Sequence, residues 1–202
     1  MRFLVPIAAG LSMLLLVACT APSPSAGGAG DARIESVHTP LSPSSCEKKI
    51  DESDPDSTPY LLCPGAGGFT LKVRSVGSGR KSADVVDAAQ QAHPLNLQEV
   101  ITRSMLNLTG DAEWRVASRD GKQVPLALIL QVQARENSED PETVTNTYTA
   151  IVKLSPDSVC VTDRIPAGSK TPEQILTIAD AAETRACAPP QPPLSGNGQA
   201  QP

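Results

Sequence analysis

The chain has 202 residues, 40% hydrophobic and 19% charged, with a formal net charge of −5. That suits one modest domain with appendages and leaves enough apolar residues for a core. The acidic balance speaks against nucleic acid as a partner, since phosphate backbones need a basic face, and the scarcity of aromatic residues speaks against a lined cofactor pocket, so no cofactor is expected.

Arg2 supplies a single positive charge near the start, and the apolar run from Phe3 to Val17 is interrupted by Pro6, Gly10 and Ser12. A run of about fifteen residues is short of the ~20 that span a bilayer, so it reads as the core of an export signal over residues 1–18. It ends in Leu16-Val17-Ala18-Cys19, which resembles the lipobox of bacterial lipoproteins. The resemblance implies that Cys19 carries a thioether-linked diacylglycerol and an N-acyl chain. Each buried methylene contributes ~0.8 kcal/mol, so several acyl chains give durable attachment, and the membrane is the first expected partner. The implied location is the bacterial cell envelope, facing the periplasm or the surface. Thr20 stands where an aspartate would resemble an inner-membrane retention signal, which favours the outer membrane if the host has one. The competing reading is an ordinary secretory signal cut near Ala18, with Cys19 a spare thiol.

Residues 19–45 are small and polar at first, without apolar periodicity, and read as a flexible stalk. Residues 46–187 read as one globular β-rich domain, and 188–202 as a disordered Pro/Gly/Gln tail. With Cys19 used for lipid, Cys46, Cys63, Cys160 and Cys187 remain. An even number in an exported chain reads as disulfides with three possible connectivities, and sequence neighbours favour Cys46–Cys63 and Cys160–Cys187. No CxxC occurs and only His38 and His93 are available, so a metal site is not expected.

Within the domain, Phe69, Leu71 and Val73 alternate with polar residues as in a half-buried strand. Ala83–Ala89 is ambiguous, with strand preferred, and Leu97–Leu106 reads as a weak helix with Asn96 and Glu99 as its capping pair. Ala112, Trp114 and Val116 alternate into Asp120-Gly121, a hairpin signal. Val124 through Ala134 is apolar on both faces, as in a central covered strand. Val144–Leu154 follows, with Tyr148, Ala150 and Val152 inward, and Ser155–Ser158 turns into Val159–Val161. Thr171, Pro172 and Gln174 form a capping box for a helix from Pro172 to about Ala186, with Ile175, Ile178, Ala179, Ala182 and Ala186 on one face. The expected fold is α+β: an antiparallel meander with a C-terminal helix packed on it, stapled by disulfides.

Candidate chemistry is sparse. The Gly-rich Pro64–Gly68 leads into a strand, not a helix, so a bend is the better reading than an anion cradle. Gly77–Ser82 lacks the glycine a phosphate loop needs before Lys81. His38 falls in the stalk. His93, near Asp84, Asp87 and Glu99 in sequence, has no nucleophile motif. Asp51–Glu52 and Glu139–Asp140 sit in turns, Lys48, Lys49, Arg80 and Lys81 make no large basic patch, and Trp114 reads as core, with a partner-anchoring surface residue as the alternative.

Cys46 with Tyr60-Leu-Leu-Cys63-Pro-Gly-Ala-Gly-Gly-Phe-Thr-Leu-Lys-Val73 resembles the first strands of membrane-bound inhibitors of C-type lysozymes, over fewer than 30 residues. That family's inhibitory loops have no counterpart here. The expected function is therefore a non-catalytic binding or structural lipoprotein, with an envelope protein as a possible partner. The alternatives are inhibition of a cell-wall-cleaving enzyme and, third, an envelope hydrolase using His93 or loop carboxylates.

Overall fold

The computed structural model describes residues 33–51, 58–76, 80–119, 121–137 and 139–192. The expected signal peptide, Cys19, the stalk up to residue 32, Glu52, residues 77–79, Asp120 and the tail from 193 lie outside them.

Among the described residues, alternating apolar positions place ten strands in two antiparallel sheets rather than in one meander. In chain order, β1 (Ile34–Pro40) is followed by β2 (Glu47–Lys49), β3 (Tyr60–Pro64), β4 (Thr70–Val76), β5 (Arg80–Val86) and β6 (Ala92–Pro94). A short helix, α1 (Leu97–Val100), then leads to β7 (Met105–Arg119), β8 (Lys122–Arg135), β9 (Asn146–Ser155) and β10 (Ser158–Pro166), and α2 (Pro172–Asp180) closes the regular structure. Strands β2 to β6 form one sheet in sequence order; the other has the order β1-β7-β8-β9-β10.

The main core lies between the sheets. Leu71 and Val85 come from the smaller sheet, and Trp114, Val116, Leu128, Leu130, Val132 and Val152 from the larger; all are fully buried. Removing each such aliphatic side chain from water stabilises the fold by roughly 1.5–3 kcal/mol. The outer face of the larger sheet carries a second cluster, in which Ala127, Ile129, Ile151 and Ile165 meet Ala179 of α2 and Ala182 of the following 3-10 turn. Strand β8 is thus central and buried on both sides, which explains its unbroken apolar run.

Helix α2 starts as its sequence dictates: Thr171 Oγ1 accepts from Gln174 N, and Gln174 Oε1 accepts from Thr171 N. It stops at Asp180, short of Ala186: Ala181 leaves helical geometry with ψ 5°, and the chain tightens into a 3-10 turn that buries Ala182. Arg115 Nε and Nη2 donate to the two Asp180 oxygens at 2.6 and 2.9 Å. This pairing raises the arginine's pKa and pins the helix. The 3-10 turn Ala182–Thr184 follows, and Arg185 pairs with Asp163 of β10.

Three boundaries move. Residues 34–40, expected in the stalk, are an edge strand: Ile34 lies opposite Ala117 and Pro40 opposite Asp111. Thr39 Oγ1 accepts from Trp114 Nε1 at 2.9 Å. Leu97–Leu106 is not one helix, since α1 ends at Val100 and β7 begins at Met105. Asn96 has a left-handed backbone (φ 48°) and makes no side-chain cap. The Thr102 hydroxyl accepts Ser104 N, a local bond that competes with helix. Beyond it, Leu106 buries with strand periodicity. The expected tail begins docked, as residues 188–191 bond back to the domain. The ambiguous Ala83–Ala89 is strand only through Val86; Asp87 Oδ1 then accepts from Ala89 N and Gln91 N and bends the chain.

Cystines join Cys46 to Cys63 and Cys160 to Cys187, 17 and 27 residues apart in sequence. Closing loops of this size contributes ~3 kcal/mol each in the chain-entropy account. The Gly-rich segment is the β3–β4 turn, pressed against the larger sheet. A Cβ at Gly65 would lie 2.7 Å from Trp114 Cζ2 and 2.4 Å from the Phe69 carbonyl oxygen. Gly67 has φ +57°, and a Cβ there would meet Pro125 at 2.4 Å.

Candidate functional site

Among the described residues, one polar constellation lies where α1 packs between β5 and β10. Arg164 of β10 is paired with Ala150, so its side chain shares the inner face of the sheet. Its guanidinium lies 4.2 Å over the Tyr148 ring. The Tyr148 hydroxyl donates to Glu136 at 3.2 Å, and Glu136 also accepts from Thr102 Oγ1 at 2.7 Å and from Asn146 Nδ2. Burial pushes the Tyr148 phenol up, with Arg164 opposing and Glu136 reinforcing that shift. The half-buried Glu136 carboxylate thus takes three donors, and Tyr148 links it to Arg164.

The cleft between α1 and β10 is filled by Gln191, which bonds both elements. Its N–H donates to the Glu99 carbonyl at 2.6 Å, and its Nε2 to the Val100 carbonyl at 3.1 Å. Its own carbonyl accepts from Arg103 Nε and Nη2 at 3.1 and 2.8 Å, and its Oε1 accepts from Arg164 Nη1 at 2.6 Å. Among the described residues no carboxylate lies within ion-pair distance of Arg103 or Arg164, and Arg164 Nε is buried without a hydrogen-bond partner.

The residues singled out in the sequence are scattered. His93 Nε2 lies 3.0 Å from Asp87 Oδ2. That bond, with the amides of Gln91 and Ala89, holds the Asp87 carboxyl below its ordinary range. Asp84 pairs instead with Arg74 at 2.9 Å, and Glu99 enters only through its backbone carbonyl. No described serine, threonine or cysteine hydrogen-bonds His93. His38 is exposed on β1 opposite Glu113. Asp140 is a turn residue whose oxygens take the Thr143 hydroxyl and the Glu142 amide, lowering its pKa. Glu139 donates its amide to Asn137, and Asp51 is exposed. Lys49 pairs with Glu47 and Lys81 bonds Ser75, while Lys48 and Arg80 are exposed on β2 and β5. Trp114 is fully buried, which removes the surface-anchor alternative.

Sequence reasoning missed Thr102, Arg103, Glu136, Arg164 and Gln191. Straight alternation from Val161 would put Ile165 on the inner face and Arg164 outside. A register shift between Val161 and Asp163 reverses this, sending Ile165 to the helix-covered side and Arg164 inward. Gln191 could have been flagged as the one non-proline among four residues, Pro189 to Pro192. Among the described residues no group of three or more His, Cys, Asp or Glu could hold a metal ion, and no helix is long and apolar enough to cross a membrane. No protein-family model, curated protein or solved structure matches this chain.

Proposed function

We propose that this chain is a lipid-anchored protein of the bacterial cell envelope whose β-rich domain acts by binding rather than by catalysis. One observation carries the anchor: Leu16-Val17-Ala18-Cys19 closing a short apolar run. Two cystines in the domain fit an oxidising compartment. The binding role draws its support from the α1–β10 cleft, where two arginines and two backbone carbonyls converge on one residue. Labelled palmitate should enter the wild-type chain and be lost in Cys19→Ser; label that survives the substitution refutes the lipid site.

A second reading, inhibition of a cell-wall-cleaving enzyme, is favoured by one feature. The segment resembling lysozyme inhibitors is the β3–β4 hairpin, tied to β2 through Cys46–Cys63. An acidic chain would also be drawn to a basic enzyme. A soluble fragment from residue 31 onward should then slow lysozyme turnover at micromolar concentration, and full turnover in its presence removes this reading.

A further inference from the structure

We propose that the α1–β10 cleft is a peptide-binding site that selects a glutamine in an extended, proline-flanked segment, filled in cis by the chain's own residues 188–192. The proposal names a ligand class for the binding role given above. The segment Ala188-Pro-Pro-Gln-Pro192 has only two backbone N–H groups, because proline has none. Both are used: Ala188 N donates to the Val161 carbonyl at 2.8 Å and Gln191 N to the Glu99 carbonyl at 2.6 Å.

At Gln191 every polar group is engaged. The backbone N–H, backbone carbonyl, side-chain oxygen and side-chain amide each have a partner in the domain: Glu99, Arg103, Arg164 and Val100. The side chain is recognised by a donor for its oxygen and an acceptor for its nitrogen. An aliphatic residue there would leave the Val100 carbonyl and the Arg164 guanidinium without their partners. The flanking prolines hold the segment extended before it docks, so little chain entropy is lost on binding. Arg164 itself stacks on Tyr148, whose hydroxyl is held by Glu136, a contact that does not involve Gln191.

The cis segment is tethered at Cys187, itself bonded to Cys160 on β10. A short tether places Gln191 at the cleft at an effective concentration in the millimolar range. A segment of the same chemistry from another polypeptide must compete with it, so the closed form is the resting state.

The test uses the full-length Gln191→Ala chain, which keeps both cystines, titrated with the synthetic peptide Ala-Pro-Pro-Gln-Pro-Pro and followed by amide chemical shifts. The expected result is saturable shifts at residues 97–103 and 161–164, with the wild-type chain binding at least tenfold more weakly because its site is occupied. The peptide with alanine for glutamine should also bind at least tenfold more weakly, as should the parent peptide to the Gln191→Ala chain carrying Arg103→Ala. Equal binding of the glutamine and alanine peptides overturns the proposal, and so does no binding to the Gln191→Ala chain while its far-ultraviolet spectrum matches the wild type. No membrane enters the assay, so a negative result leaves the lipid-anchor reading standing.

Discussion

Thr39→Val tests the docking of β1 most directly. Thr39 is 7% exposed, and its hydroxyl receives the indole N–H of Trp114, which is 0% exposed, at 2.9 Å. Valine has the same shape and suits a strand, so it opens no cavity and keeps the backbone pairing. What it removes is the indole's acceptor among the described residues, together with a long 3.5 Å bond from the hydroxyl to the Ala112 carbonyl, and an orphaned buried donor costs about 1–3 kcal/mol. With a urea slope on the order of 2 kcal/mol/M for a domain of this size, the midpoint should fall by roughly 0.5–1.5 M at unchanged slope. Trp114 is the sole tryptophan, so its fluorescence reports unfolding at this very contact. In a Trp114→Phe background, followed by circular dichroism, the same Thr39 change should cost little, since no donor is left to orphan. A Thr39→Val midpoint within about 0.2 M of wild type, or an equal loss in both backgrounds, would refute the reasoning and return residues 34–40 to the stalk.

Gly65→Ala should destabilise by about 1–3 kcal/mol or more, because its Cβ has no room between the Phe69 carbonyl and Trp114; the urea midpoint measures it. Asp180→Asn removes the charged acceptor of the buried Arg115 and should cost roughly 1.5–3 kcal/mol, with faster amide exchange in α2 than in the sheets. The carboxyls of Asp87, Asp140 and Glu173 are held below their ordinary range by His93, by Thr143 and by the first-turn amide of α2. A carboxylate depressed in the folded state stabilises that state above its unfolded pKa, about 4, and the contribution is lost as pH falls through the folded value. Thermal stability should therefore drop below about pH 4, and less steeply in Asp87→Asn; an identical acid profile for that variant contradicts the assignment.

Features governed by near neighbours are legible in the order of residues alone. The capping box of Thr171 and Gln174, the two-faced apolar run of β8 and the inward phase of Tyr148, Ala150 and Val152 each depend on residues a few positions apart. The cystines follow the same logic, since each joins sequence neighbours. The weak helix at 97–106 failed for a related reason. Its local signals were real, but Asn96 took a left-handed backbone and Leu106 had a deeper burial available as strand.

By itself, then, the sequence determined the strand periods and the start of the C-terminal helix, because periodicity and capping act over one or two turns of chain, while it favoured one cystine pairing among three that the structure then resolved. It also carries the whole case for the lipid anchor. Only the tertiary structure decided that the strands divide between two sheets, that β1 pairs with a strand some 75 residues later in the chain, and that a bulge turns Arg164 inward. The same holds for Gln191, whose partners come from α1, from Arg103 beyond it and from β10. Such contacts are chosen by the burial and hydrogen bonding that become available once distant segments meet, and a bulge resets the phase that alternation would carry forward.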